Sequence, residues 1–187
     1  QLNPDNTIPT SETGIRHRTA ERVAKQTGLM VISISRRRNV ITIYKGDEKY
    51  VLQDTGKVLA KANQAIQTLE KYKAVLDQGL MDLTALEFED LATLQDVCIV
   101  LQRTERAIRV GAEIEKYIIE LGDEGRLVRM QLDQLLRFVV EDGINVFEDY
   151  KKGLVANPFK EGGITDFSPE DLLNLTSFSK LLGYTKD

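Results

Sequence analysis

The chain has 187 residues, of which 42% are hydrophobic and 29% are charged, with 13 Gly and 4 Pro. This composition is typical of a helix-rich globular protein and excludes collagen-like, mucin-like and largely disordered chains. No run reaches the ~18 apolar residues that a membrane span requires, and the first residues lack the basic and apolar regions of a signal peptide. The single cysteine, Cys98, cannot form an internal disulfide, so we expect a cytoplasmic protein without a membrane partner.

Positive charge is concentrated in one short block of the sequence. Residues 14–49 contain nine Lys and Arg against three acids, a local balance of +6, although the whole chain has a formal net charge of −4. A block of this kind attracts the phosphates of nucleotides or nucleic acids. A solvated basic face is the alternative that the charge alone leaves open.

The N-terminal part of the chain predicts a small sheet with one helix. In chain order we expect a polar loop (1–13), a short helix (19–27) ended by Gly28, strands at 29–35 and 40–45 that form a hairpin, and a third strand (48–53) after the Gly46-Asp47 turn. Met30, Ile32 and Ile34 share one face of the first strand. Because three strands and one helix are too few for a stable sheet domain, we expect the remaining strands to lie upstream of Gln1.

From Asp54 onward the apolar residues recur every three or four positions, which predicts a helical bundle. The predicted helices cover 58–76 with Gly79 as the stop, 84–121 with a Thr84–Glu87 capping box and a bend or break at Gly111, 127–139, 144–152 after Gly143, and a last helix that begins at Ser168. The sequence therefore predicts the α+β fold class, with a domain boundary between residues 53 and 54.

Two segments concentrate polar groups that are suited to binding phosphate. The first is Gly14-Ile15-Arg16-His17-Arg18-Thr19, just before the predicted helix, and the second is Ser35-Arg36-Arg37-Arg38-Asn39 at the hairpin turn. A helix N-terminus offers free backbone N–H groups and the positive end of the helix dipole. If the helix start and the turn lie at the same edge of the sheet, both segments bind one ligand. His17 is the only histidine, which excludes a multi-histidine metal site; it is either a neutral hydrogen-bond donor to the ligand or a loop residue bonded to backbone.

The two segments also carry a family resemblance. The blocks GIRHRTAERVAKQTG and VISISRRRNVITIY resemble the DNA-integrity-scanning branch of the diadenylate cyclases, in which the Arg-His-Arg motif is a family signature. The acidic helical region that follows resembles the central linker domain of the same branch. The resemblance covers nearly the whole chain.

The resemblance implies a partial mixed-sheet cyclase domain at residues 1–53 and an all-α helical linker at residues 54–187. It implies an enzyme that condenses two ATP molecules into cyclic di-AMP, releases two pyrophosphates and uses Mg²⁺ or Mn²⁺. The residues that it assigns to ATP and cyclic di-AMP binding are Gly14, Ile15, Arg16, His17, Arg18, Thr19, Ser35 and Arg36. Ile15 stands where the family usually has Thr, so we expect one hydroxyl contact to phosphate to be lost.

The resemblance further implies an octamer of stacked rings and a C-terminal helix-hairpin-helix domain that binds branched DNA, which inhibits the cyclase. The family's Asp-Gly-Ala motif, with its catalytic and metal-binding aspartate, precedes Gln1, so we assign neither a catalytic residue nor a metal ligand in this chain. We expect the parent protein to be the cyclase and this chain alone to be inactive. The alternative is a non-enzymatic helical assembly module whose Arg-rich head binds DNA or a regulatory nucleotide.

Overall fold

The computed structural model describes residues 4–36, 40–153, 158–159 and 163–184. The chain divides into two compact units, Gln1–Val58 and Leu59–Asp187. The first contains a helix on a small sheet and the second is helical, so the predicted α+β fold class is confirmed. Among the described residues, no helix has both the length and the apolar character needed to cross a membrane.

A three-stranded antiparallel sheet forms the first unit together with one helix. The elements are α1 (Ile15–Thr27), β1 (Met30–Ser35), β2 (Val40–Lys45) and β3 (Glu48–Leu52), with β2 in the middle of the sheet. The predicted hairpin and third strand are therefore confirmed. The described strands are all antiparallel, and the mixed sheet of the family domain stays an expectation.

Helix α1 begins earlier than the sequence predicted. Its first residue is Ile15 rather than a residue near Thr19, and Gly14 is the N-cap in extended conformation. The Arg18 N–H already donates to the Gly14 carbonyl at 2.9 Å, so the Arg-His-Arg motif forms the first helical turn instead of a preceding loop. The predicted stop is correct, because Gly28 adopts the left-handed conformation (φ 70°) in which glycine is favoured.

The sheet has one face covered by α1 and one face that is exposed. Two small residues of α1, Ala20 and Ala24, pack with Tyr44 and Val31 into the core of this unit. The opposite face carries Met30, Ile32 and Ile34 together, with 54–63% of each side chain exposed. The apolar residues of β1 are thus mostly outside the core, whereas the polar Ser33 and Thr42 are buried beneath the helix.

The second unit is built around α3. The helices are α2 (Thr55–Phe88, whose first turn belongs to the first unit), α3 (Leu94–Leu121), α4 (Arg126–Leu136), α5 (Val139–Tyr150) and α6 (Leu175–Leu181), with short 3-10 turns at Gly122–Gly125, Ile164–Asp166 and Asp171–Leu173. Helix α3 contacts α4, α5 and α6. Its buried residues include Leu101, Ile114 and Cys98, while Phe147 of α5 and Phe178 of α6 are fully buried.

Two predictions about the start of the bundle were wrong. Helix α2 does not end at Gly79 but continues to Phe88. Thr84 is therefore inside a helix, where its hydroxyl donates to the Leu80 carbonyl at 3.0 Å instead of capping a new helix. The capping box is formed by Thr93, whose side chain accepts from the Asp96 N–H while the Asp96 carboxylate accepts from the Thr93 N–H.

Two further glycines that were predicted to interrupt helices lie inside them. Gly111 is a buried residue of α3, and a Cβ at that position would lie 2.5 Å from Leu136 Cδ1. Gly143 is a buried residue of α5, and a Cβ there would lie 2.5 Å from Thr104 Cγ2 and 2.8 Å from the Phe159 ring. Both glycines therefore allow close approach between elements rather than ending a helix. The actual break between α4 and α5 is at residues 137–138.

The last predicted helix begins later than expected. Ser168 and Asp171 do form a reciprocal cap, with Ser168 Oγ accepting from the Asp171 N–H at 3.1 Å. Only a single 3-10 turn follows it, and α6 starts after Asn174, whose side chain accepts from the Thr176 N–H at 3.0 Å.

Candidate functional site

A cavity of about 460 Å³ lies between the start of α1 and the end of β1 in the first unit. Seven described residues line it: Gly14, Ile15, Arg16, His17, Ile34, Ser35 and Arg36. The two phosphate-binding segments predicted from the sequence therefore meet at one place, as far as their described residues go; Arg37, Arg38 and Asn39 lie outside the described residues. The volume is in the range of small-molecule pockets.

The cavity combines cationic and hydrogen-bonding groups with an apolar wall. Gly14 provides no side-chain cap, and the first turn of α1 contains no acid, so its backbone N–H groups and the positive dipole end are available to an anion. Arg16, Arg36 and the Ser35 hydroxyl add side-chain donors at the same rim. Ile15 and Ile34 provide the apolar part. This arrangement can bind a polyphosphate that carries an apolar or aromatic group.

Two of the predicted site residues are placed differently from the rest. The Arg18 guanidinium donates to the carbonyls of Glu12 and Thr13, at 3.4 Å and 3.2 Å. Thr19 is exposed on α1. Neither is among the described residues that line the cavity, and their assignment to the ligand stays a prediction.

Glu12, two residues before Gly14, belongs to a polar cluster that sequence reasoning missed. The Tyr44 hydroxyl donates to Glu12 Oε1 at 2.8 Å, and the Lys49 ammonium forms an ion pair with the same oxygen. The hydrogen bond from Lys49, the hydrogen bond from Tyr44 and the charge of Lys49 together hold the pKa of Glu12 below its ordinary value, although partial burial opposes them. Burial and the Glu12 carboxylate raise the pKa of Tyr44, so the hydroxyl stays protonated.

The segment of residues 4–13, here called the strap, is tied along α1 by similar contacts. Glu21 accepts from the Thr10 hydroxyl and pairs with Lys25 at 2.9 Å. Burial alone would raise the pKa of Glu21, but the hydrogen bonds from Thr10 and Lys25 outweigh it and lower that pKa. Arg22 Nε also donates to the Ile8 carbonyl at 3.0 Å. The basic residues of this helix therefore divide into Arg16 and His17, which line the cavity, and Arg18, Arg22 and Lys25, which contact the strap.

Comparison with known families identifies both units. Residues 52–187 match the family model described as the DisA bacterial checkpoint controller linker region. Residues 1–49 match the family model described as DisA bacterial checkpoint controller nucleotide-binding. The chain belongs to the DisA family. The resemblance to DNA-integrity-scanning proteins that the two motifs indicated is thereby confirmed, and the cavity lies within the part that matches the nucleotide-binding model.

Individual relatives from this family are similar over almost the whole chain. The DNA integrity scanning protein DisA of Clostridium botulinum (strain Langeland) is 56% identical over 185 residues, which are 99% of this chain and 52% of the relative. The protein of the same name from Clostridioides difficile (strain 630) is also 56% identical over 185 residues, and that of Clostridium acetobutylicum is 55% identical over 184 residues. The chain spans about half the length of the curated relatives it matches.

The side chains around the cavity of this DisA-family chain do not fit a divalent cation. Within the described ranges, no group of three or more His, Cys, Asp and Glu residues is arranged to hold a metal ion. The nearest described carboxylate in the strap, Glu12, is occupied by Tyr44 and Lys49. The cavity itself presents guanidiniums, an imidazole and a hydroxyl, which are poor ligands for Mg²⁺ or Mn²⁺ except for the hydroxyl.

A larger cavity, of about 710 Å³, lies between α3 and α6 in the second unit. It is lined mainly by apolar and neutral groups, among them Leu94, Cys98 and Leu175, with Lys180 as its charged residue. The smaller cavity is the better candidate for a phosphate-bearing ligand, because only there do arginines, a serine and a helix N-terminus come together among the described residues.

Proposed function

We propose that this chain supplies the phosphate-binding part of a diadenylate cyclase, an enzyme that condenses two ATP molecules into cyclic di-AMP and releases two pyrophosphates. The observation that carries the proposal is the single cavity that joins Arg16 and His17 of α1 to Ser35 and Arg36 at the end of β1. Membership in the DisA family and the match of residues 1–49 to its nucleotide-binding model support it.

The proposed reaction needs placement and charge stabilisation more than covalent chemistry by the protein. Each ribose 3′-hydroxyl attacks the α-phosphorus of the other ATP, the bond to the β,γ-pyrophosphate breaks, and the hydroxyl proton leaves to a base outside the described residues. The N–H groups of the first turn of α1 and the Arg16 and Arg36 guanidiniums hold the phosphates and stabilise the charge that develops on their oxygens. Ile15, which has no hydroxyl to donate, faces the same cavity.

The metal, the oligomer and the DNA partner are further parts of this proposal. Mg²⁺ or Mn²⁺ supplies charge neutralisation at the phosphates when bound, and its protein ligands lie outside the described residues of this chain, since these offer no suitable set. Family membership supports assembly as an octamer, binding of branched DNA through a helix-hairpin-helix domain, and a cytoplasmic location.

The exposed face of the sheet supports the proposal that this chain is inactive by itself. Met30, Ile32 and Ile34 form an apolar surface with Ile41 and Tyr50, and all five are exposed. Sheets normally bury such a face against another layer. We propose that the rest of the cyclase domain packs on this face and completes the active site.

The test is a chimera in which this chain replaces the matching 185 residues of the Clostridium botulinum relative. We expect the chimera to form cyclic di-AMP from ATP and Mn²⁺, detected by chromatography, and the chain alone to form none. The Arg16→Ala change in the chimera lowers the rate at least about a hundredfold, as expected for loss of a phosphate-stabilising group. Lys45→Ala, which removes one positive charge at the other end of the β1–β2 hairpin from Ser35, is the matched control and leaves the rate unchanged.

The same chimera distinguishes the proposed cyclase function from the alternative, in which the Arg-rich head binds DNA. A pocket for ATP selects adenine over other bases, whereas binding to a nucleic-acid backbone weakens steeply with ionic strength. Equal binding of all four nucleoside triphosphates together with a steep salt dependence would favour the DNA-binding alternative. Product formation by the chain alone would contradict the proposed inactivity.

A further inference from the structure

We propose that Glu12 and Arg18 are positioning residues of the nucleotide site, and that Arg18 acts on the backbone before Gly14 rather than on a phosphate. The ligand in this inference rests on the proposed function; the positioning itself rests on contacts within the first unit. One contacts the sheet through the side chain of residue 12 and the other bonds the backbone of residues 12–13, and together they fix where α1 begins.

The side chain of Glu12 connects the strap to the sheet. Its Oε1 accepts from the Tyr44 hydroxyl on β2 at 2.8 Å and pairs with Lys49 on β3. Only 10% of the Glu12 side chain and 1% of Tyr44 are exposed, so the hydrogen bond between them is shielded from water and stronger than a surface one. The Lys49 side chain is 39% exposed, so its ion pair with Glu12 is partly open to water. Residue 12 is thereby anchored to two neighbouring strands.

The backbone of the same segment is connected to the helix through Arg18. Its Nε donates to the Glu12 carbonyl and its Nη2 to the Thr13 carbonyl, at 3.4 Å and 3.2 Å. A guanidinium has its donors in a fixed fork, so an Arg18 that bonds both carbonyls has its fork directed at residues 12–13. This is consistent with its position outside the lining of the cavity.

The two connections meet next to the cavity. Gly14 follows Thr13 directly, and its carbonyl accepts the first helical hydrogen bond, from the Arg18 N–H at 2.9 Å. Gly14, Arg16 and His17 all line the cavity. When residues 12–13 are held in place, the N–H groups of the first turn and the Cα of Arg16 are held in place too. Phosphate binding depends on this kind of preorganisation.

Glu21 provides a matched comparison within the same unit. Like Glu12, it is a nearly buried carboxylate that holds the strap, with 9% of its side chain exposed. Its partners are Thr10, Lys25 and the Ser11 backbone. It reaches residue 12 only indirectly, through the Thr10 hydroxyl, which accepts from the Glu12 N–H at 3.1 Å. Glu21→Gln and Glu12→Gln make the same chemical change at different distances from the cavity.

The first experiment measures backbone amide hydrogen exchange in this chain without nucleotide. We expect Glu12→Gln to speed exchange of the Arg18 N–H about tenfold, since it weakens a charge-assisted contact that fixes Gly14. Tyr44→Phe, which removes one hydroxyl and keeps the buried ring, has a smaller effect in the same direction. The Gly28 N–H, bonded to the Ala24 carbonyl at 2.8 Å at the other end of α1, stays unchanged. Glu21→Gln, which reaches residue 12 only through Thr10, speeds Arg18 exchange less than Glu12→Gln does. Unaltered Arg18 exchange in both Glu12→Gln and Tyr44→Phe would overturn the inference.

The second experiment measures the KM for ATP in the active chimera, with a double-mutant cycle between positions 12 and 18. We expect Glu12→Gln and Arg18→Ala each to raise KM about tenfold, and the double variant to raise it by little more than either, because both release the same segment. Arg18→Lys keeps the charge but loses the forked donors, so it does not restore the KM.

The outcomes of the second experiment separate the inference from the proposed function. If the Arg18 and Glu12 effects multiply, or if Arg18→Lys restores the KM, Arg18 acts on the phosphate through its charge and its positioning role is wrong. If the unaltered chimera binds no ATP, the proposed function fails, while the hydrogen-exchange experiment still decides whether Glu12 fixes the start of α1.

Discussion

The two units of this chain are stabilised in different ways. The helical unit buries large apolar side chains, among them Phe147, Phe178 and Leu101, around the central helix α3. The sheet unit has a core of Ala20, Ala24 and Tyr44 with Val31, and it depends on the carboxylates that hold the strap. The difference shows that one unit derives its stability mainly from apolar burial, whereas the other also depends on partly buried polar contacts between the strap, α1 and the sheet.

The largest expected effect is in the helical core. Phe147→Ala removes a side chain of α5 that is fully buried, and we expect it to lower the free energy of unfolding of the helical unit by about 3–5 kcal/mol. Urea denaturation followed by circular dichroism at 222 nm measures this loss. Phe138→Ala is the control, because the Phe138 side chain is 57% exposed and its loss should cost less than about 1 kcal/mol. Equal losses in the two variants would contradict the assigned core.

An intermediate effect is expected at the helix contacts that depend on glycine. Gly143→Ala introduces a Cβ only 2.5 Å from the buried Thr104 methyl and 2.8 Å from the Phe159 ring, so we expect a loss of about 1–3 kcal/mol from overpacking.

Gly79→Ala is the matched control for that variant. Its added Cβ meets the end of the Arg103 side chain, which can move aside, so the ordinary gain of about 0.5–1 kcal/mol for Gly→Ala in a helix is expected. Thermal melting of both variants gives the comparison, and stabilisation by Gly143→Ala would show that α5 is not packed so closely.

The smallest expected effect is the change of stability with pH. It distinguishes the two units most directly, because its direction is opposite in each. The pKa values of Glu12 and Glu21 are lowered by their hydrogen-bond partners from an ordinary 4.5, so their contribution is present above that pH and is lost as the pH falls below it. Burial raises the pKa of Glu105 in α3, in spite of its pair with Arg109, so Glu105 lowers the stability of the helical unit as the pH rises above 4.5.

Hydrogen exchange followed separately in β2 and in α3 between pH 3 and pH 7, after correction for intrinsic exchange rates, measures these opposite slopes. Glu12→Gln should flatten the acid-side slope in β2 only, and Glu105→Gln should flatten the slope in α3 only. A common slope in both units would mean that other groups control their titration.

The parts of the structure that could be predicted from the sequence are those determined over short distances. A run of β-branched and apolar residues indicated β1, alternation indicated β2, and a glycine after the helical segment indicated the end of α1 at Gly28. Two motifs rich in arginine indicated the cavity, since a helix start and a strand end on neighbouring elements bring them to one edge.

The predictions that failed depended on contacts between elements. Thr84 and Thr93 are each followed by an acid three residues later, and only Thr93 caps a helix. Leu83, directly before Thr84, is buried within α2. Its packing stabilises the helix across the Thr84–Glu87 pattern, so no new helix begins there. Gly79, Gly111 and Gly143 failed as helix stops for the same reason, because their role is set by a neighbouring side chain that local sequence does not show.

The missed part of the site has a similar origin. Glu12 and Tyr44 are 32 positions apart, and neither stands in a motif that indicates phosphate chemistry. Their pairing follows from the fold of the strap over the sheet. For Arg18 the problem is the reverse. Its motif predicted a contact with the ligand, but its guanidinium donates to the backbone of residues 12–13.

The reactivity of the buried Cys98 thiol can report local opening of the helical unit. It is 1% exposed, and burial raises its pKa to about 11, so a thiol reagent at neutral pH reacts slowly while the helical unit stays folded. Because the chain has one cysteine, every modified molecule carries its label at a known position in α3. The rate of modification, followed by mass spectrometry, therefore measures how often local opening exposes this side chain, without any engineered label.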